Sequence, residues 1–251
     1  MKSVFKYVDS RKAVLDILDS KTQIRPEEKI PQNDSEFSYK NGVKTWVGAL
    51  FLDMRDSSSF FTENKPDIVA RIMRAYYSEI IKILEDNENY REIGMRGDCI
   101  YAIYCAPKQA DLNEIFDDAV VINTFNNMFQ KILAEKNYPQ FSMGIGLGAS
   151  EDVVVKVGRK NSGYNDKLWI GDAVINASNL SSLGDSEKGY PIYVDSTFFY
   201  NIKDFPIGKD ETQTNESFFV EETRDDEIIY KCNVIKTKFE QWIDNDFKED
   251  N

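Results

Sequence analysis

Two aspartates stand where apolar segments end, and they are the strongest candidates for chemistry in this chain. Asp53 closes the apolar run Trp46–Asp53 (WVGALFLD), and Asp98 follows 45 residues later in the turn Arg96-Gly97-Asp98. Either aspartate alone would be an ordinary strand-end or turn residue. On neighbouring strands, the pair would present the oxygen ligands that Mg²⁺ or Mn²⁺ needs to sit between a protein and a triphosphate.

The chain contains no histidine, so catalysis would depend on carboxylates and metal ions. The absence excludes Ser-His-Asp and Cys-His nucleophilic chemistry, histidine-ligated zinc and imidazole acid–base catalysis. Two divalent ions can lower the pKa of an attacking hydroxyl and neutralise a leaving pyrophosphate without any histidine. The composition therefore favours two-metal chemistry with Mn²⁺ or Mg²⁺, two ions per site.

A phosphate-binding turn is predicted directly after Asp53. Arg55, Asp56, Ser57 and Ser58 lead from the strand toward a helix. Backbone N–H groups at such a turn can donate hydrogen bonds to phosphate oxygens. The sequence thus predicts a phosphate site beside the metal ligands.

The elements that must position these groups alternate between strands and helices. Apolar periodicity predicts helices over about 66–85 and 112–135, a hairpin at Tyr90–Tyr104 and a strand-to-helix junction at Leu168–Leu183. The strand Phe141–Gly148 (FSMGIGLG) alternates apolar residues with glycines, so one of its faces is bare backbone that something can approach closely. The order β-α-β-β-α-β predicts an α+β fold with a ferredoxin-like core, a mixed sheet and helices on one face.

Charge and cysteine content narrow the class of protein. The net charge is −12 with a pI near 4.7, and an acidic surface repels the phosphates of nucleic acids and anionic membranes. The three cysteines show no CxxC spacing and are expected to be reduced thiols. No long apolar run is present at the start or later. These features predict a cytoplasmic protein that binds neither nucleic acid nor membrane.

Two regions are predicted along the chain. Residues 1–45 would form a short helix (Ser10–Leu18) and a polar segment (Lys21–Lys40) that is either a linker or an arm across the surface, and this region could brace a dimer. Residues 46–251 would form one domain, with its core motifs in 46–183 and C-terminal strands and a helix in 190–245.

Residues 46–183 resemble the catalytic domain of class III adenylate and guanylate cyclases. The family's metal-binding strand is matched by ALFLDMRDSSSFF, its hairpin by MRGDCIYAIY, its glycine-rich strand by MGIGLG and its strand-to-helix junction by WIGDAVINASNL. Each motif is weak alone, but four in the family's order and spacing form a fairly specific signature.

The resemblance implies a function and a division of labour. Asp53 and Asp98 would ligate both ions, and the carbonyl of Met54 would add a ligand. The segment Arg55–Ser58 would cradle the triphosphate. Cyclases of this type form head-to-tail dimers, with the metal half of each site on one subunit and the other half on its partner. A homodimer acting on a nucleoside triphosphate is therefore expected.

The chain departs from the family at the residues that orient the ribose and stabilise the transition state. The family has an asparagine and, four residues later, an arginine. Ile175 and Asn179 occupy these positions, and Asn176 follows Ile175. Asn176 and Asn179 share a helix face, and their amides can donate hydrogen bonds to a ribose or a pentavalent phosphate. Both are predicted catalytic residues.

The positions that read a purine base also differ. Gly94 replaces the family's lysine and Leu168 replaces its Asp or Thr. This pattern resembles the pyrimidine cyclases of bacterial Pycsar anti-phage systems, which make cyclic CMP or cyclic UMP as a messenger for a separate effector. Between the two substrates CTP is favoured over UTP. Arg96 is the first candidate for a base contact, although it could equally pair with Asp98 or Glu92.

Two alternatives stay open. One is a purine cyclase with a rebuilt base pocket. The other is a catalytically dead cyclase-like domain that binds a nucleotide or a partner as a regulatory module. Ile175 and Asn179 support the second alternative, whereas retention of both metal carboxylates opposes it, because such a charge pair is costly to keep without cations.

Overall fold

A computed structural model describes residues 5–31, 36–159, 163–185, 189–207 and 210–248. Residues 1–4 and 32–35 of the predicted N-terminal arm lie outside the described residues. The helices are α1 (Tyr7–Leu18), α2 (Ser57–Glu63), α3 (Pro66–Asp86), α4 (Gln109–Glu135), α5 (Asp172–Ser181), α6 (Ser196–Ile202) and α7 (Thr237–Asp244). The strands are β1 (Gln23–Pro26), β2 (Asn41–Met54), β3 (Tyr90–Arg96), β4 (Cys99–Cys105), β5 (Met143–Gly158), β6 (Asn165–Ile170), β7 (Ile192–Asp195), β8 (Pro206–Ile207), β9 (Asp210–Thr214), β10 (Val220–Arg224) and β11 (Glu227–Cys232).

Nine of the strands in the described part of the chain form a single sheet around β2. The path runs β10-β11-β7-β5-β2-β4-β3, with β1 added to β2 and β6 added to β5. The stretch β2-α3-β3-β4-α4-β5 has the predicted β-α-β-β-α-β order, and its strands lie in the order β5-β2-β4-β3. Because β7 pairs with β5 in parallel and the core pairs are antiparallel, the sheet is mixed. The predicted α+β fold is confirmed.

The main hydrophobic core lies between one face of the sheet and helices α3, α4 and α6. In α3 the buried residues Ile72, Tyr76, Ile80 and Leu84 recur every four positions, which places them on one helix face. They pack with alternate residues of the central strands, such as Leu50, into one cluster. The apolar periodicity seen in the sequence is the pattern that this packing requires.

Helix α5 lies on the opposite face of the sheet, so the prediction that the helices share one face is wrong for this element. Three glycines of β5 face this helix: Gly144, Gly146 and Gly148. A side chain at any of them would collide with backbone atoms of α5 or of the residues that follow it. Ala173 and Ala177 of α5 are fully buried there in a second cluster. The glycine face of β5, which the sequence predicts to be open to close approach, is therefore covered by α5 of the same chain.

The N-terminal region differs from its predicted boundary. The strand β2 begins at Asn41 rather than at Trp46, and β1 pairs with it in parallel from Gln23 to Pro26. Part of the polar arm thus extends the sheet. Helix α1 buries none of its residues. Among the described helices, none combines the length and the hydrophobicity that a bilayer span requires.

Asp118, a half-buried residue of α4, makes the stability of the fold depend on pH. Burial raises the pKa of Asp118 to about 7, while the amide of Asn87, which donates to its carboxylate at 2.9 Å, lowers the pKa and the charge of Asp117 raises it. Unfolded aspartate has a pKa of about 3.9. Between these two pKa values the native state binds more protons than the unfolded state. The free energy of unfolding therefore falls as the pH rises from about 4 to about 7.

We expect Asp118→Asn to remove this loss, because an amide resembles the protonated acid and still accepts a hydrogen bond. Its unfolding free energy should exceed that of the wild type by about 2 kcal/mol at pH 8, after allowance for partial solvent screening, and by only about 0.5 kcal/mol at pH 4.5. Thermal unfolding at the two pH values measures the difference. An equal change in Tm at both pH values would contradict the assignment to Asp118.

Candidate active site

The structure brings Asp53 and Asp98 together at one end of the central strands. Asp53 is paired across the sheet with Cys99, and Asp98 is the residue before Cys99. The turn between β3 and β4 is made possible by Gly97, whose φ of +64° favours glycine. Burial raises the pKa of Asp53, the charge of Arg55 lowers it, and the charge of Asp98 raises it. The two carboxylates are therefore close enough to interact.

Arg55 neutralises Asp53 within the chain. Its guanidinium forms an ion pair with the Asp53 carboxylate, donates to the Asp53 carbonyl at 3.3 Å and donates to the carbonyl of Ser182. Ser182 directly follows α5, so this arginine links the end of that helix to the acidic pair. The predicted triphosphate role of Arg55 would require the guanidinium to leave Asp53.

The donor set fits a hard divalent cation. Asp53 and Asp98 supply carboxylate oxygens, which are the ligands that Mg²⁺ and Mn²⁺ prefer. Met54 ends β2 with its side chain buried, so it can offer only its backbone carbonyl. Beyond the effect of burial, the charge of Arg55 lowers the pKa of Asp53 and the charge of Asp98 raises it, so a bound cation would relieve the repulsion between the two carboxylates.

The turn after β2 leaves backbone donors at the start of α2. Asp56 adopts a left-handed conformation with φ of +50°, and α2 follows from Ser57 without a side-chain cap among the described residues. The first amides of an uncapped helix lack intrahelical acceptors. Ser57 is half-buried and Ser58 is exposed, and the phosphate-binding role of this turn stays a prediction.

The structure separates the roles of the two asparagines on α5. The amide of Asn176 donates to the carboxylate of Asp195 at 3.0 Å, so one of its hydrogens is used inside the chain. Asn179 is exposed. Both residues line a cavity of about 590 Å³, together with Arg224 of the β10–β11 hairpin. Asp53 and Asp98 are not among its lining residues, but Ser182 is, and its carbonyl accepts a hydrogen bond from the arginine that pairs with Asp53.

A group missed by the sequence analysis lies on the same face of the sheet. The hydroxyl of Tyr101 donates to Oε1 of Glu92 at 3.0 Å, and Nε1 of Trp169 donates to Oε2 at 2.8 Å. Burial, followed by the charge of Glu92, raises the pKa of Tyr101 to about 12. Arg96 forms no ion pair with any residue in the described part of the chain.

The ring of Tyr101 covers Gly94. A β-carbon at Gly94 would overlap this ring, so no larger residue fits without moving it. Tyr101 also stacks on Phe51, with ring centroids 4.9 Å apart. The absence of a side chain at position 94 was visible in the sequence, but the residue that fills its space depends on the register Gly94↔Tyr101 between β3 and β4.

Comparison with known proteins gives consistent matches. The profile of the Adenylate and Guanylate cyclase catalytic domain family matches residues 40–197. A uridylate cyclase of Treponema porcinum is 38% identical over 95% of this chain and 81% of its own length. A uridylate cyclase of Gulbenkiania mobilis is 24% identical, with 96% of each chain covered.

A solved structure agrees with the fold. The guanylyl cyclase Cya2 is 17% identical and superposes with a TM-score of 0.61, covering 78% of this chain and 95% of its own. At this identity the likeness concerns the arrangement of helices and strands.

Proposed function

Because the chain belongs to the family of adenylate and guanylate cyclase catalytic domains, we propose that it converts UTP into 3′,5′-cyclic UMP and pyrophosphate. The observation that carries a pyrimidine substrate is the 38% identity to a uridylate cyclase over nearly the whole chain. The sequence alone favours CTP over UTP but identifies no side chain that would distinguish the two bases. The two relatives are both uridylate cyclases, and this favours UTP.

The occupied space at Gly94 supports a small base. Members of the resembled purine cyclases carry a lysine at this position, and here Tyr101 fills the space that such a side chain would need. Phe51 is buried in the second hydrophobic cluster and stacks on Tyr101, which holds the ring of Tyr101 over Gly94. A purine base would find no lysine at position 94 to bind it, and the ring of Tyr101 would take up part of the space it needs. A pyrimidine base is smaller, so the site is better suited to it.

The metal half of the reaction is assigned to the end of β2. Asp53 and Asp98, with the carbonyl of Met54, would hold two Mg²⁺ or Mn²⁺ ions. When bound, these ions supply Lewis acidity, which favours ionisation of the 3′-hydroxyl and stabilises the negative charge on the leaving pyrophosphate. The 3′-oxygen forms a bond to the α-phosphorus, the bond from that phosphorus to the bridging oxygen breaks, and the hydroxyl proton passes to solvent.

The chain's own donors would hold the triphosphate during this step. The first amides of α2, at Ser57 and Ser58, would donate to its oxygens, with Asp56 shaping the turn. A metal ion on Asp53 would replace the neutralising charge of Arg55, and the guanidinium could then bind phosphate as a charge-assisted donor. Remaining donors would come from Asn179 and the second amide hydrogen of Asn176.

A head-to-tail homodimer would complete each site. The cyclases that the chain resembles divide each site between two subunits, so a second copy of this chain would supply the asparagine-bearing half to each acidic pair. The cyclic product would diffuse to a separate effector protein, as in the antiviral Pycsar systems that the chain resembles.

Incubation of the purified protein with each of the four labelled nucleoside triphosphates and Mn²⁺, followed by separation of the products, tests the proposal. We expect cyclic UMP as the main product. Cyclic CMP as the main product would overturn the choice of UTP but keep the pyrimidine class. Cyclic AMP or GMP would identify a purine cyclase. Nucleotide binding without any product would identify a regulatory domain, which the internal bond of Asn176 favours.

A further inference from the structure

The carboxylate of Glu92 is held in one orientation and still has capacity to bind. Tyr101 donates to one of its oxygens and Trp169 to the other. An ionised carboxylate has about four lone-pair sites, so about two remain for a ligand. The indole N–H of Trp169 can only donate, so Oε2 of Glu92 is the acceptor in this bond.

We propose that Glu92 selects uracil by accepting a hydrogen bond from N3–H of the base. This inference rests on the proposed pyrimidine cyclase function and names the residue that decides between its two substrates. Uracil carries a hydrogen on N3, whereas cytosine carries a lone pair there. A fixed carboxylate therefore attracts the first base and repels the second, and a site built around one hydrogen-bonding group rejects the base that lacks its partner.

The position of Glu92 on the sheet suits a base reader. Alternate residues of a strand share a face, so Glu92 and Gly94 lie on the same side of β3, next to the ring of Tyr101 that covers Gly94. Arg96 lies two residues further on and forms no ion pair in the described part of the chain. Its guanidinium is a donor suited to a carbonyl oxygen of uracil.

The dimer that the proposed function assumes indicates which nucleotide Glu92 contacts. In a head-to-tail pair, Glu92 of one subunit would read the base of a nucleotide whose phosphates are held by the aspartates of the other. Within one chain, Glu92 lies four positions before Arg96, which pairs with Cys99 at the turn that carries Asp98, or about 13 Å along an extended strand.

The decisive variant is Glu92→Gln. Its amide oxygen can still accept from Trp169, while its NH₂ group offers a donor to the base. We expect kcat/KM for UTP to fall about 10- to 100-fold and kcat/KM for CTP to rise or stay unchanged. The ratio of the two should therefore fall at least about tenfold. Initial rates with UTP and CTP in Mn²⁺ measure this ratio.

Two further variants make the test specific. Glu151→Gln alters a half-exposed glutamate on β5 that pairs with Lys44 instead of aromatic donors, and it should leave the ratio unchanged. Trp169→Phe keeps the carboxylate but removes one orienting donor, so the ratio should fall by less than in Glu92→Gln. If Glu92→Gln does not fold, the result for Trp169→Phe decides.

An unchanged ratio in a folded Glu92→Gln dimer would overturn the inference, as would equal losses with both substrates. Failure of the broader proposal is seen separately, because the wild-type protein would then form neither cyclic UMP nor cyclic CMP. A protein that forms cyclic UMP with a ratio insensitive to Glu92 is still a pyrimidine cyclase, but one whose base is read elsewhere.

Discussion

Replacing Asp98 with asparagine should lower kcat at least about a thousandfold while the protein stays folded. In the proposed site Asp98 and Asp53 would act as one ligand set, so loss of one anionic oxygen ligand would weaken the stabilisation of charge on the attacking and leaving oxygens. A loss of about 4 kcal/mol in the transition state corresponds to this factor. Asp53→Asn should have the same effect, because both carboxylates contact the same ions in the proposed site.

The stability of these variants separates a catalytic role from a structural one. Asp98 raises the pKa of Asp53 through like-charge repulsion, so Asp98→Asn should leave the Tm of the metal-free protein unchanged or raise it slightly. The metal-induced increase in Tm should disappear in the variant. Asp204→Asn, which changes an exposed acid paired with Lys203, is a matched control. Wild-type turnover by Asp98→Asn would exclude the two-metal proposal.

The second large effect is expected from one added methyl group at Gly146. A β-carbon there would overlap the carbonyl of Ala177 and the amide of Ser181, which are backbone atoms of α5 and cannot rotate away. Gly146→Ala should therefore lower the unfolding free energy by about 3 kcal/mol or more. For a chain of this size, that lowers the Tm by roughly 10 °C. Differential scanning calorimetry measures the change.

The same variant should also impair turnover in the fraction that remains folded. Displacement of α5 moves Asn176 and Asn179, as well as the Ser182 carbonyl that receives Arg55. Gly163→Ala is the control, since its φ of +75° costs about 1 kcal/mol but no described atom lies within 4 Å of the added carbon. If the two alanine variants were equally stable, close packing of α5 on the glycine strand would be excluded.

Much of the fold could be predicted because its signals are local. The four-residue period of α3 and the apolar run that ends at Asp53 identify a helix and a buried strand from neighbours in the chain. The β-α-β-β-α-β order then limits the possible topologies, so the meeting of Asp53 and Asp98 at one strand end could be anticipated. The position of α5 could not, because alternating glycines indicate an approachable face without naming the element that covers it.

The side-chain partners at the site depended on contacts that no local pattern specifies. Arg55 forms its ion pair with Asp53, and Asn176 donates to the carboxylate of Asp195. Glu92 receives its hydrogen bond from Trp169 across 77 positions of the chain. A shift of one residue in the pairing of β3 with β4 would place Tyr101 on the other face of the sheet.

By itself, the sequence determined the class of chemistry, since a chain without histidine that keeps two strand-end aspartates is suited to metal-assisted reactions of phosphates. It also determined the order of elements that brings these aspartates together. Only the tertiary structure decided which helix covers the glycine strand, which cation neutralises Asp53 and which carboxylate accepts from Tyr101 and Trp169. The reason is physical: periodicity is carried by neighbouring residues, whereas a side chain's partner is set by strand register and by the packing of elements distant in the chain.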